Sequence, residues 1–150
     1  MSTEVRTHTA LHVLKGAVQR VLGAKWTTST YVKEDHGRLV VRYERKPTPE
    51  ELARISEEAN RKITENAEVV QFEMERGEAM QHFGDSIYDL FPVPASVTIL
   101  KLVNIPDWNV NCCVAKHVES TSDVGTISVD RARFRNSRRE VEIEFHVESG

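Results

Sequence analysis

Two short motifs at opposite ends of the chain constrain its fold more than any other feature: His8-Thr9-Ala10-Leu11-His12 and Cys113-Val114-Ala115-Lys116-His117. Each offers two metal-ligating side chains separated by three residues. On a helix that spacing puts both on one face, close enough to share an ion. Together the motifs supply three imidazoles and one thiolate. That donor set suits one tetrahedral Zn²⁺, which is borderline soft and accepts nitrogen and sulfur alike. For one ion to reach all four, the fold must bring a helix at one end of the chain against a loop near the other. Alone, each motif is weak: a helix-edge histidine pair is usually solvated, and a free cysteine is more often a small buried hydrophobe. Their conjunction raises the odds.

Composition bounds the rest. The 150 residues, 39% hydrophobic and 29% charged, are ordinary for one globular domain spanning 1–150. No apolar run is long enough to span a bilayer, and Met1 to Arg6 lacks a signal-peptide pattern. Cys112 and Cys113 are the only cysteines, and adjacent cysteines rarely pair, so a cytoplasmic, reducing location with no membrane partner is expected. In an extended segment the two thiols point to opposite faces, and Cys113 is preferred as ligand for its spacing to His117. A net charge of −3 argues against a general nucleic-acid binder. Arg131, Arg133, Arg135, Arg138 and Arg139 nevertheless cluster, as a phosphate-contacting patch or as a solvated strand and its turn.

The order of elements is mixed. A helix is expected from Ser2 to Leu22, with Leu11, Leu14, Val18, Val21 and Leu22 on one apolar stripe and Gly23 as C-cap. Trp26 to Glu34 and Arg38 to Glu44 read as a hairpin turning at Asp35-His36-Gly37. Thr48-Pro49-Glu50-Glu51 is a capping box opening a helix to about Asn66. A strand at 69–74, a short helix at 76–83, a strand at 97–103 and a closing antiparallel pair at 126–134 and 140–147 follow. The class this predicts is α+β, a mostly antiparallel sheet packed with helices.

The motifs resemble those of the editing domains of alanyl-tRNA synthetase and, more distantly, threonyl-tRNA synthetase. Stand-alone versions are the AlaX-type trans-editing proteins. His8 to Leu14 is similar to that family's HTATHLL helix, Cys113 to Val118 sits where the family has CGGTHV, and Ser120 to Gly125 is similar to its NTGEIG stretch. The resemblance covers nearly the whole chain. It implies a cytoplasmic hydrolase of the small class, with no adenylate-forming module. The implied substrate is misacylated tRNA, serine or glycine wrongly attached to alanine tRNA, with free serine as product. The implied cofactor is one Zn²⁺ held by His8, His12, Cys113 and His117. One departure stands out: the family's Gly-Gly-Thr is Val114-Ala115-Lys116 here. Losing both glycines narrows the close backbone approach they permit. Lys116 is either a phosphate contact or an exposed lysine.

Two further expectations concern binding. Trp26-Thr27-Thr28-Ser29-Thr30 lines up hydroxyls on a strand, and alternation puts Thr28 and Thr30 on one face. Thr30 is the expected contact for the side-chain hydroxyl of serine, partly because the resembling family lines its pocket there. Arg131, Arg133, Arg138 and Arg139 are the expected tRNA contacts, with Lys116. No carboxylate stands out as a general base; Glu4 reads as a solvated first-turn acid. Four protein ligands normally close a zinc site, so catalysis needs one of them displaceable. Two rivals therefore stay open: a zinc-stabilised RNA-binding module without catalysis, and a metal-dependent hydrolase of small esters or amides. The sequence does not disclose oligomeric state.

Overall fold

A computed structural model describes residues 2–149. Helix α1, Thr3–Leu22, is N-capped by Ser2, whose hydroxyl accepts from the Val5 N–H, and C-capped by Gly23 in the left-handed region at φ 73°. Every residue from Thr9 to Val18 is buried, polar ones included. A single apolar stripe does not produce that. It arises because α1 packs at once against strands of two sheets and a second helix, and so has no solvent face over that stretch. Its buried hydroxyls are consequently bonded. Thr7 Oγ1 lies 2.6 Å from the Glu34 carbonyl oxygen, and Thr9 Oγ1 donates to the Val5 carbonyl at 2.9 Å.

The larger sheet is antiparallel and contains β1 (Thr27–Lys33), β2 (His36–Arg42), β6 (Thr126–Arg135) and β7 (Glu140–Glu148), in the order β1-β2-β7-β6. Alternation along β7 turns Val141, Ile143, Phe145 and Val147 inward to the core beside α1, and Glu142 and Glu144 outward. Helix α2, Pro49–Thr64, opens on the expected capping box, with Thr48 and Glu51 bonded reciprocally. The first hairpin turns one residue earlier than the sequence suggests: His36 already pairs with Lys33, and Glu34 takes φ 54° in the turn. Glu4 is no idle surface acid, since its carboxylate accepts the Glu34 N–H at 3.0 Å and ties that turn to α1.

The smaller sheet, in the order β3-β4-β5, contains β3 (Val70–Glu75), β4 (Ile99–Ile105) and β5 (Asn109–Cys112). The strand expected from 97 starts at Ile99, because the preceding segment is committed elsewhere. The Arg76 guanidinium, at the start of α3 (Arg76–Phe83), donates to the carbonyls of Val93, Pro94 and Val97 at 2.7–2.9 Å. Those bonds hold the segment between Tyr88 and Thr98 against the sheet. Arg76→Met should cost about 1–2 kcal/mol, the worth of charge-assisted bonds on a partly exposed loop. Limited proteolysis should then cleave within 88–98 before the protein melts; cleavage unchanged from wild type would show that the clasp is unnecessary.

The α+β class read from the sequence is therefore the class of the structure. Among the described residues no helix is long and apolar enough to cross a membrane.

Candidate metal centre

The two motifs meet. His12 projects from the buried middle of α1, Cys113 follows the last residue of β5, and His117 lies in the loop beyond. Their ligand atoms all lie within 4.8 Å of one another, so the three form a group able to hold a metal ion. The two imidazole rings sit edge to face, 4.8 Å between centroids. His8, one helical turn before His12, lines the adjoining cavity but lies outside this close trio.

The loop that carries Cys113 and His117 is fastened from three sides. The Cys113 N–H donates to the Lys101 carbonyl at 3.0 Å, prolonging the β4–β5 pairing by one bond. Gln71 on β3 grips the middle: its amide oxygen accepts the His117 N–H at 3.1 Å, and its amide nitrogen donates to the Ala115 carbonyl at 3.1 Å. Beyond it, the Val118 N–H donates to Thr9 Oγ1 on α1 at 3.0 Å. The threonine inside the first motif thus ties the second motif to the helix.

Electrostatics put the imidazoles in their ligand form. Burial pushes His12 well below its usual pKa, and the charges of Lys15 and His117 add to that. Burial likewise takes His117 down to about 4, helped by His8 and Lys15. Both rings are therefore neutral at neutral pH, as coordination requires. Burial raises the Cys113 thiol, opposed by the Ala115 backbone and Lys15, so an ion must displace a proton to bind there. Cys112 is pushed up to about 11, again by burial first.

The orphaned atoms point the same way. Among the described residues, the buried side-chain nitrogens and oxygens without a hydrogen-bond partner are His12 Nδ1, both ring nitrogens of His117, and Asn109 Oδ1. A native interior leaves few such groups, and an ion is one of the ordinary reasons for them. Two buried imidazoles and a half-buried sulfur in one cluster fit Zn²⁺.

The acid behaviour of the chelated protein follows. A histidine held below its unfolded pKa binds fewer protons folded than unfolded. Its contribution to stability is present above about pH 6.5 and is lost as the pH falls towards the folded value. His117 alone accounts for about 3 kcal/mol across that window, and His12 adds in the same direction. Denaturant titrations of chelated protein should show that decline between pH 6.5 and 4. A flat profile there would mean that neither ring is buried neutral.

A cavity of about 560 Å³ opens beside the trio. His8, His12, Lys15 and Cys113 line it together with Thr30, Asp89 and Asn111, and Val93, Val97, Ile99 and Val114 supply apolar walls. Lys15 is 5% exposed and donates to Asn111 Oδ1 at 2.7 Å and Asp89 Oδ1 at 3.2 Å. The sequence reading missed this network, although Lys15 stands three residues after His12, on the same helix side.

Thr30 lies opposite Leu39, whose side chain is in the core, so it faces inward and is exposed to the cavity. Its neighbours differ from simple alternation. A bulge between Thr27 and Ser29 makes Thr27, opposite Val41, and not Thr28, share its face. The arginines lie elsewhere. Arg131, paired with Glu144, and Arg133, opposite Glu142, are on the outward face of the large sheet, turned away from α1. Arg138 and Arg139 form its end turn, where Arg139 donates to the Glu44 carbonyl at 3.0 Å. Lys116 is exposed in the loop between Cys113 and His117.

No family model matches the chain. An alanine–tRNA ligase from Pyrococcus abyssi is 37% identical over 128 residues, 85% of this chain. One from Saccharolobus islandicus is 36% identical over 126 residues, 83% of the chain. The chain is similar to a segment of alanine–tRNA ligase. A third such ligase, from Metallosphaera sedula, is 35% identical over the same length. The matched segment is 14% of each relative's length. These relatives bear out the resemblance carried by the two motifs to part of that enzyme.

Proposed function

We propose that this chain is a zinc-dependent hydrolase of misacylated tRNA. It acts in trans as one editing-type domain and removes serine, and secondarily glycine, wrongly attached to alanine tRNA. The observation that carries the reading is the His12–Cys113–His117 group at the side of an open cavity, in a chain homologous to a segment of alanine–tRNA ligase. His8 serves as the fourth, displaceable ligand. Its position outside the close trio suits a catalytic site, which keeps one place free.

Bound zinc supplies a Lewis acid at the ester carbonyl and a means of activating water. The chain's own residues do the rest. The apolar walls exclude bulk water and admit the aminoacyl end. The Lys15–Asn111–Asp89 network holds a fixed polar end to the cavity. Thr30 takes the side-chain hydroxyl of serine. Lys116, beside the trio, meets the phosphates nearest the ester, and Arg131, Arg133, Arg138 and Arg139 meet phosphates farther away. The deciding experiment is hydrolysis of seryl-tRNA of alanine identity by wild type, by chelated protein and by chelated protein resupplied with Zn²⁺. Turnover that disappears on chelation and returns with zinc is the expected result. Equal turnover in all three would overturn the metal's part.

A further inference from the structure

We propose that Asn109 is a positioning residue for the metal: its side-chain oxygen accepts the Nδ1–H of His12 and so presents the opposite ring nitrogen, Nε2, to the ion. This rests on the zinc reading above.

Asn109 opens β5, faces Ile105 across the β4–β5 hairpin, and is 9% exposed. The turn before it is pinned to α1. The Trp108 indole N–H donates to the Val13 carbonyl at 2.9 Å, and Arg20 stacks on the indole while donating to the Asp107 and Trp108 carbonyls. Gly16 makes this approach possible, since a Cβ there would lie 2.2 Å from the indole nitrogen. The Trp108–Val13 bond brings the turn that leads into Asn109 against the stretch of α1 that carries His12, the residue before Val13.

The chemistry of the two side chains then fits. A neutral imidazole has one N–H and one lone pair. When Nε2 gives its lone pair to an ion, Nδ1 carries the proton and needs an acceptor. His12 Nδ1 is buried without one, and Asn109 Oδ1 is buried without a donor. Each supplies what the other lacks. Neither atom has a hydrogen-bond partner among the described residues, and the Asn109 side chain opposes the effect of burial on the His12 ring by favouring its protonated form. Such an outer partner fixes both the tautomer and the direction of a ligating histidine, and its loss typically weakens metal binding 10–100-fold.

The test is zinc affinity, measured by competition with a chromogenic chelator at neutral pH, with Co²⁺ absorption as a report on ligand geometry. Asn109→Ala and the volume-matched Asn109→Leu should each weaken Zn²⁺ binding about 10–100-fold and alter the Co²⁺ bands. Asn109→Asp, which keeps an acceptor in place, should bind within a few-fold of wild type. A merely structural role would instead lower the melting temperature of the chelated protein and leave affinity unchanged. Wild-type affinity in the folded Leu variant, or an Asp variant as weak as Leu, would overturn the proposal. Should wild type itself bind no Zn²⁺, the zinc reading falls first and takes this inference with it; tight binding by both wild type and Leu sinks the inference alone.

Discussion

His12→Ala and Cys113→Ala should each reduce hydrolysis of seryl-tRNA of alanine identity by about a thousandfold or more, because metal assistance is worth several kcal/mol at the transition state. Added zinc should restore chelated wild type but neither variant. His8→Ala should be milder, since His8 lies outside the close trio and is the ligand proposed to be displaceable. The measurement is single-turnover deacylation, with circular dichroism to confirm that each variant folds. Equal losses for His8 and His12 would argue for a closed four-ligand site. A folded, zinc-loaded wild type that binds tRNA but hydrolyses nothing would instead favour a zinc-stabilised RNA-binding module. The exposed Val114 and Lys116, standing where the resembling family has glycine and threonine, would then be the suspects.

Thr30→Val should lower the preference for seryl over alanyl esters about 10–100-fold, the effect of losing one hydroxyl partner in a site built to bond a hydroxyl. Valine has the shape of threonine, and the position borders the cavity without being part of the packed interior, so stability should hardly change. Discrimination enters as the ratio of kcat/KM for the two esters. An unchanged ratio would remove Thr30 from recognition and leave the Lys15–Asn111–Asp89 network as the alternative source of selectivity.

What the sequence disclosed by itself was local. Ser2 and Gly23 bound α1, Thr48 and Glu51 box the start of α2, and the closing β6–β7 pair lies where its alternation put it, because each rests on residues a few positions apart. The meeting of His12, Cys113 and His117 was legible for a related reason: these residues come in two short motifs, and the expected fourth member, His8, lies just outside their close group. The tertiary structure decided whatever depends on contacts between distant segments. It buried the middle of α1 on all sides, so that Lys15 needed partners from Asp89 and Asn111. It placed a bulge in β1 that rearranged the threonines, and it set the arginines on the outward face of the large sheet. It also supplied Gln71 and Asn109, which carry no motif of their own. Their roles arise only where β3 grips the ligand loop and where the β4–β5 turn docks on α1. A periodic pattern records which face of an element is apolar; it does not record which polar atom a neighbouring element will bring opposite.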